Sequence, residues 1–431
     1  MTRLAVSWLI LRLTHSAMWL GTIGFAGQIP VLLLAPIAGP LLDRCSLRKV
    51  LIATQILSML QAFALAYLVT HHISIAQIAT LSIIRGCISA FDIPAKQALL
   101  TGLADDFSDR AGMLAFDSVV VNLCRMLGPA LGGLLLASSG ERACFLVDGI
   151  SYTASLAALL MMRSRTKYWK REFRWPGSLF EGWAWIQGLT EGRSAFLLLC
   201  ITSLVALPFT VLLPLHVRDV LHAGPGTLGN LGCVSSVAAI IASCVIASCQ
   251  SSLLAMLRRL GLFGAGIALV GLALSRDLRA TLGAVFVVSF SIMIQIAATN
   301  VYVQSSVPEQ LRGRISTFYS AAFWGMVPIG SLLLGAIAHP FGCRAAFGSE
   351  GLCCLLAVFL CFIHVQIHRP AHCGDHSISS SVIRSLLANR KHEVVKLMLA
   401  QSFEQVRQNC QTEGDCRMEC DCSRLQGGGT P

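Results

Sequence analysis

Arg85, Asp117, Arg125 and Asp148 are ionisable side chains inside long apolar stretches. A charge withdrawn from water is costly unless it is paired or reaches a wet cavity. Such groups therefore either tie helices together or touch something that passes between them. Arg85 suits contact with an anionic or oxygen-rich ligand, or an interhelical hydrogen bond. Arg125 lies three residues before Gly128 and suits helix packing or the same kind of ligand contact. Asp117 and Asp148 can carry a proton where desolvation favours the neutral acid, or stay hydrated about one turn from a helix end. Asn300 and Gln304 are polar without titrating, so they suit orientation of a ligand or capping of a helix. A denser group occupies residues 43–49, where Asp43, Arg44, Arg48 and Lys49 interrupt an otherwise apolar region. Gly128, Pro129, Gly132 and Gly133 form a slim, kinked stretch that lets a neighbouring helix come close.

The elements that carry these residues follow from composition. The chain has 431 residues, 55% hydrophobic and 13% charged, with mean hydropathy +0.69. Soluble domains carry about 25% charged residues. Apolar segments near 20–42, 50–70, 74–93, 113–137, 143–162, 195–215, 227–249, 257–275, 280–303, 317–338 and 345–366 are each long enough to cross a ~30 Å hydrocarbon slab as a helix. Backbone groups in lipid must bond to one another, which makes helices the expected form. The fold class is an all-α polytopic membrane protein. An earlier apolar stretch, residues 4–11, rises only about 12 Å as a helix and reads as a clipped first span.

The net charge of +11 is a topology signal rather than a nucleic-acid footprint. With the loop at 43–49 placed in the cytoplasm, cytoplasmic loops hold 16 Lys and Arg and outer loops hold 6. That asymmetry matches the positive-inside rule. No nucleic-acid partner is expected. Of the 17 cysteines, most lie in or beside apolar segments as small apolar residues, and no disulfide framework is legible. The tail stretch 410–422, "CQTEGDCRMECDC", fits zinc spacing poorly, so no metal is expected. No phosphate-binding loop or nucleophile–base set is present, and the expectation is a non-enzyme without cofactors.

An internal repeat is visible. "GPALGGLLLASSGERACF" at 128–145 answers "VPIGSLLLGAIAHPFGCRAAF" at 327–347, with Pro129 opposite Pro328 and Arg142 opposite Arg344. "LADDFSDR" at 103–110 answers "VPEQLRGR" at 307–314. The expected organisation is an N-terminal bundle over 1–162, a basic, Trp-rich cytoplasmic linker over 163–193, a C-terminal bundle over 194–367 and a Cys-containing cytoplasmic tail over 368–431. The tail includes an amphipathic stretch at 382–407.

The string G-x-x-x-D-R-x-x-x-R-K, from Gly39 to Lys49, resembles the loop between helices 2 and 3 of the major facilitator superfamily. "GPALGG" at 128–133 resembles that superfamily's antiporter motif. "AFDIPAKQALL" (90–100), "LLPLHVRDVL" (212–221) and "NVYVQSSVPEQLRGRISTFYS" (300–320) are similar to its enterobactin-exporter-like branch, the transmembrane secretion effectors. The chain departs from the pattern at Leu47, where the family usually has arginine and Arg48 stands in, and at Asp148, where the family often has asparagine. The resemblance implies two six-helix bundles, twelve spans with the first clipped here, rocking about a central cavity. It implies that Gly39, Asp43, Arg44, Arg48, Lys49 and Asp92 form a conformational latch, with Asp92 the natural partner of the basic residues. It makes Arg85, Asp117, Arg125, Asp148, Asn300 and Gln304 candidates for the substrate and proton pathway. The implied function is proton-driven export of small siderophore-like or drug-like molecules across the bacterial inner membrane, by a monomer whose partners are cargo, protons and lipid. A non-transporting remnant, and an uptake carrier of the same fold, are the alternatives.

Overall fold

The computed structural model describes all residues except 43–44, 104–106, 163–189, 251–252, 307–308 and 368–431. Residues 1–367 form one compact unit. Its helices are α1 Thr2–Thr14, α2 Ala17–Leu42, α3 Leu47–Thr70, α4 Ile75–Leu103 and α5 Phe107–Met161, followed by α6 Thr190–Ile201. A π-helical turn, Thr202–Ala206, joins α6 to α7 Phe209–Asp219. Then come α8 Pro225–Ala247, α9 Leu254–Leu274, α10 Leu278–Ser306 and α11 Glu309–Ile367. The expected linker falls mostly outside the described residues, and its last four positions already belong to α6.

Two helices are too long for one crossing. Helix α5 has 55 residues and breaks at Gly140 (φ 76°), and α11 has 59 and breaks at Gly342 (φ 83°). A positive φ costs glycine little and other residues much, so each glycine lets the chain reverse without an intervening loop. The described residues contain nine apolar helical stretches long enough to cross a membrane, and two of these run through the breaks. Counting both arms of each gives the eleven crossings expected from hydropathy. Helix α1 has 13 residues, about 20 Å of rise.

The two halves repeat in three dimensions. Gly140 and Gly342 stand at equivalent bends. Helices α4 and α10 both have 29 residues. Between the halves, α2 packs on α11 and α5 on α8.

The buried apolar core forks. Toward the Gly140/Gly342 end one continuous cluster draws on both halves, with Leu9, Leu20 and Phe145 from the first and Leu212, Leu231, Leu272 and Phe347 from the second. At the opposite end it divides into two separate clusters. One is Leu42, Leu51, Ala95, Leu99 and Leu159; the other is Ala242, Ile246, Leu254, Ile294 and Ala298. Among the described residues, the halves share apolar contact at one end and keep their own at the other.

Candidate functional site

The contact between halves is made of glycine. A Cβ on Gly229 of α8 would lie 2.7 Å from Gly133 Cα and 2.9 Å from the Pro129 carbonyl oxygen of α5. A Cβ on Gly21 of α2 would lie 2.5 Å from the Ser331 carbonyl oxygen and 3.0 Å from Gly335 Cα of α11. The two crossings are copies: Gly133 matches Gly335, Gly229 matches Gly21, and Pro129 matches Ser331. The repeat therefore runs at an offset of 202 here, and Pro129 does not align with Pro328. The glycine-rich motif divides its work. Pro129 fills the space at Gly232, Gly133 meets Gly229, Gly132 approaches Met1, and Gly128 faces open space.

Polar contacts reinforce the same end. The N–H of His15, at φ 51°, closes α1 by donating to the Leu11 carbonyl. Arg218 at the end of α7 donates from Nη1 to the same carbonyl at 3.3 Å and lies 2.6 Å from His15 Nδ1. Its Nε pairs with Asp219. Arg12 pairs with Glu141 across α1 and α5 at 3.3 Å. His15 and Asp219 also border a cavity of about 350 Å³, together with Thr14, Ser16 and His339.

A second polar assembly lies inside the first half. Helix α3 presents Thr54, Ser58 and Gln61 on one buried face, at a spacing of four and three residues. Helix α4 brings Arg85 and Asp92, and the second arm of α5 brings Asp148 and Tyr152. Arg85 Nη1 donates to Ser58 Oγ, and its guanidinium carbon lies 5.6 Å from the Tyr152 ring centroid, a cation–π distance. Asp92 Oδ1 accepts from Thr54 Oγ1 at 2.7 Å and Gln55 Nε2 at 2.9 Å. A Cβ on Gly86 would sit 2.6 Å from the Gly27 carbonyl oxygen, so α4 lies close on α2 and its rotation is fixed. An arginine at the bilayer centre costs about 2.5–3.5 kcal/mol on insertion scales. The hydroxyl and aromatic face offset part of that. Of the two readings of Arg85, the interhelical one has contacts in this conformation.

Among the described residues of the charge knot, Arg48 does not reach Asp92. Arg48 Nε donates to the Leu159 carbonyl and Nη2 to the Leu160 carbonyl, both at 2.8 Å. It caps the C-terminal end of α5, whose last carbonyls lack partners within the helix. Lys49 is exposed. Asp92 is held by Thr54 and Gln55, not by Arg48. Asp43 and Arg44 lie outside the described residues, and Gly39 is placed on α2 without a described environment. Asp117 and Arg125 fall on α5 and Gln304 on α10, with side chains outside the described set. Asn300 is exposed near the end of α10.

Sequence reasoning passed over Thr54, Gln55, Ser58, Gln61 and Tyr152. The helical spacing of the α3 residues was a usable signal. It also passed over two buried groups of the second half. His216 is wholly buried and meets Thr281 Oγ1 at 3.3 Å and Ser275 Oγ at 3.4 Å. Glu350 is buried, and neither carboxyl oxygen has a hydrogen-bond partner among the described residues.

The family model for transmembrane secretion effectors matches residues 1–398. The chain belongs to this family of major facilitator transporters. The family member is 27% identical to the staphyloferrin A transporter of Staphylococcus aureus, over 88% of this chain and 95% of that one. It is 26% identical to the multidrug efflux pump Tap of Mycolicibacterium fortuitum, over 83% and 91%. Among solved structures, the peptide transporter POT superposes with TM-score 0.65 at 13% identity, over 85% of this chain and 92% of that one. The nucleoside transporter NupG superposes with TM-score 0.66 at 11% identity, over 84% and 94%. At those identities the likeness is one of fold. The transmembrane secretion effector is thus a multi-pass membrane transporter with the major facilitator architecture.

Proposed function

We propose that this protein is a secondary active exporter that moves small organic molecules across the bacterial inner membrane by alternating access, driven by the proton gradient. The observation that carries the reading is the forked core. Among the described residues, the halves share one apolar cluster at the Gly140/Gly342 end and hold separate clusters at the other. With the basic loops in the cytoplasm, the shared end faces outward, and this conformation is closed outside. Rocking of the halves that separates the paired glycine crossings would join the inner clusters and part the outer one.

The separation of Arg48 from Asp92 fits that state. In the proposed cycle the residues at 43–49 and Asp92 meet only when the inner end closes. Here Arg48 and Asp92 bond within their own half. The siderophore-transporting and drug-pumping relatives favour cargo in one of those two classes.

The test is transport in vesicles of known orientation. Everted and right-side-out membrane vesicles supplied with a panel of carboxylate siderophores and lipophilic cations, with and without an imposed pH gradient, report direction and drive together. Gradient-dependent accumulation inside everted vesicles supports export by proton exchange. Accumulation only in right-side-out vesicles would favour uptake instead. Movement in neither, by a correctly inserted protein, would favour the remnant.

A further inference from the structure

Asp148 and Glu350 occupy the same place in the two halves, one on the arm that follows Gly140 and the other on the arm that follows Gly342, at the shared offset of 202. The neighbouring glycines confirm the match, because a Cβ on Gly149 would strike Phe63 of α3 and one on Gly351 would strike Val270 of α9. In the first half this region is polar. Tyr152, one turn beyond Asp148, lies under Arg85, which donates to Ser58. The corresponding positions of the second half follow from the helix starts. They are Cys354 for Tyr152, Val288 for Arg85 and Ala265 for Ser58, all wholly buried. The acid has been kept, and the cation, the phenol and the hydroxyl have been replaced by apolar or weakly polar groups.

Glu350 is accordingly isolated. It lies on the inward stripe of its helix with Ala346, Phe347 and Cys354, and 5% of its surface is exposed. Helix α9 packs against this arm through Gly266, and the charged residues of α9, Arg258 and Arg259, lie in its first two turns. Helix α10 carries its described charge, Arg279, in its first turn. From α7, His216 meets Phe347 edge to face with ring centroids 5.7 Å apart, and its Nε2 is turned to Thr281 and Ser275. On Glu350's own arm, Arg344 donates to the Ala273 carbonyl, and Cys354 follows one turn later. No hydrogen bond or salt bridge reaches Glu350 from any of these among the described residues. A carboxylate left in that setting has nothing to balance its charge, whereas the neutral acid has little charge to balance.

We propose that Glu350 is the proton-binding site of the transport cycle, occupied and shut off from water in the conformation described. One carboxyl oxygen takes a proton from water when the Gly140/Gly342 end opens. The same O–H bond breaks once water from the opposite side reaches the carboxyl, later in the cycle than the conformation described, and the side chain alternates between neutral acid and carboxylate. The assignment rests on the reading of proton-coupled export above and names the group that reading leaves open.

The experiment has two arms. In the first, the full chain is reconstituted in nanodiscs, and infrared difference spectra across a pH titration report neutral carboxyl groups. The wild type is expected to show a protonated carboxyl stretch near neutral pH that Glu350→Gln removes and Glu350→Asp displaces. In the second, everted vesicles containing each variant are supplied with ethidium, a lipophilic cation. Glu350→Gln is expected to lower gradient-driven ethidium movement at least about tenfold while leaving ethidium counterflow within about twofold. The Asp variant, which keeps a titratable group and fold, should retain part of the drive. A missing stretch, or one that survives Glu350→Gln, overturns the site whatever transport does. A stretch lost in Glu350→Gln with gradient-driven movement unchanged overturns its coupling role. Wild-type movement that ignores the gradient overturns the coupled-export reading, and the first arm distinguishes that failure from a misassigned residue.

Discussion

Gly133 of α5 and Gly229 of α8 meet backbone to backbone, and Gly335 of α11 meets Gly21 of α2 in the same way. No side chain intervenes at either crossing, so the two halves touch there as closely as helices can. Overpacking a tight contact costs about 1–3 kcal/mol. A bulkier residue at either glycine strains only the conformation in which the crossing is closed. Gly229→Val is therefore expected to insert normally yet favour the state open at the Gly140/Gly342 end. A cysteine introduced at Ala338, which lines the cavity at that end, should then react faster with a membrane-impermeant maleimide added outside. Unchanged labelling would mean that the crossing stays closed throughout the cycle.

Arg218 is the polar counterpart of those glycines. Its guanidinium spans the halves, reaching the Leu11 carbonyl and His15. Hydrogen bonds that involve a charged group contribute about 1.5–3 kcal/mol. Arg218→Ala should loosen the same end and raise labelling at Ala338 in the same direction as Gly229→Val. A fall in labelling would oppose the assignment.

Arg85 is bound within the first half, on Ser58 and beneath Tyr152. Lysine supplies a charge but not a planar fork that stacks on an aromatic ring. Arg85→Lys is expected to lower the detergent melting temperature, and Ser58→Ala to lower it less, by the equivalent of about 1 kcal/mol. If Arg85 instead serves cargo alone, Arg85→Lys will leave the melting temperature unchanged and alter transport of anionic cargo only.

Arg48 and Asp92 separate two roles that share one region. Arg48→Ala removes two bonds to the last turn of α5 and should destabilise the protein by about 2 kcal/mol, read as a lower melting temperature. Asp92→Asn keeps an acceptor for Thr54 and Gln55. It should leave stability almost unchanged, yet slow transport if Asp92 joins the charge knot when the inner end closes. Loss of stability in Asp92→Asn without loss of transport rate would assign Asp92 a packing role alone.

Much of this architecture is legible in the sequence. Lipid forces backbone bonds into helices, so apolar length alone located the crossings, and Gly140 with Arg142 and Gly342 with Arg344 carried the repeat. The register inside the helices was not legible. Pro129 seemed to answer Pro328, but what is repeated there is the space around Gly133 and Gly335, and space leaves little trace in residue type. Arg48 was expected to seek an acid, and instead it caps α5 on carbonyls that no sequence motif marks. The polar face of α3 was readable from the spacing of Thr54, Ser58 and Gln61. Glu350 was readable too, as the counterpart of Asp148, once the offset is set by the bends rather than by the prolines.

The pivot of the halves is the central claim, and paired distances test it most directly. Spin labels carried on encoded unnatural residues, which spare the 17 native cysteines, can replace exposed His72 and Arg279 toward the Gly140/Gly342 end and exposed Lys49 and Met256 at the other. Double electron–electron resonance in nanodiscs would follow both pairs as pH and cargo are varied. The account expects the first pair to move apart as the second draws together. Two distances that stay fixed, or that rise and fall together, would contradict it.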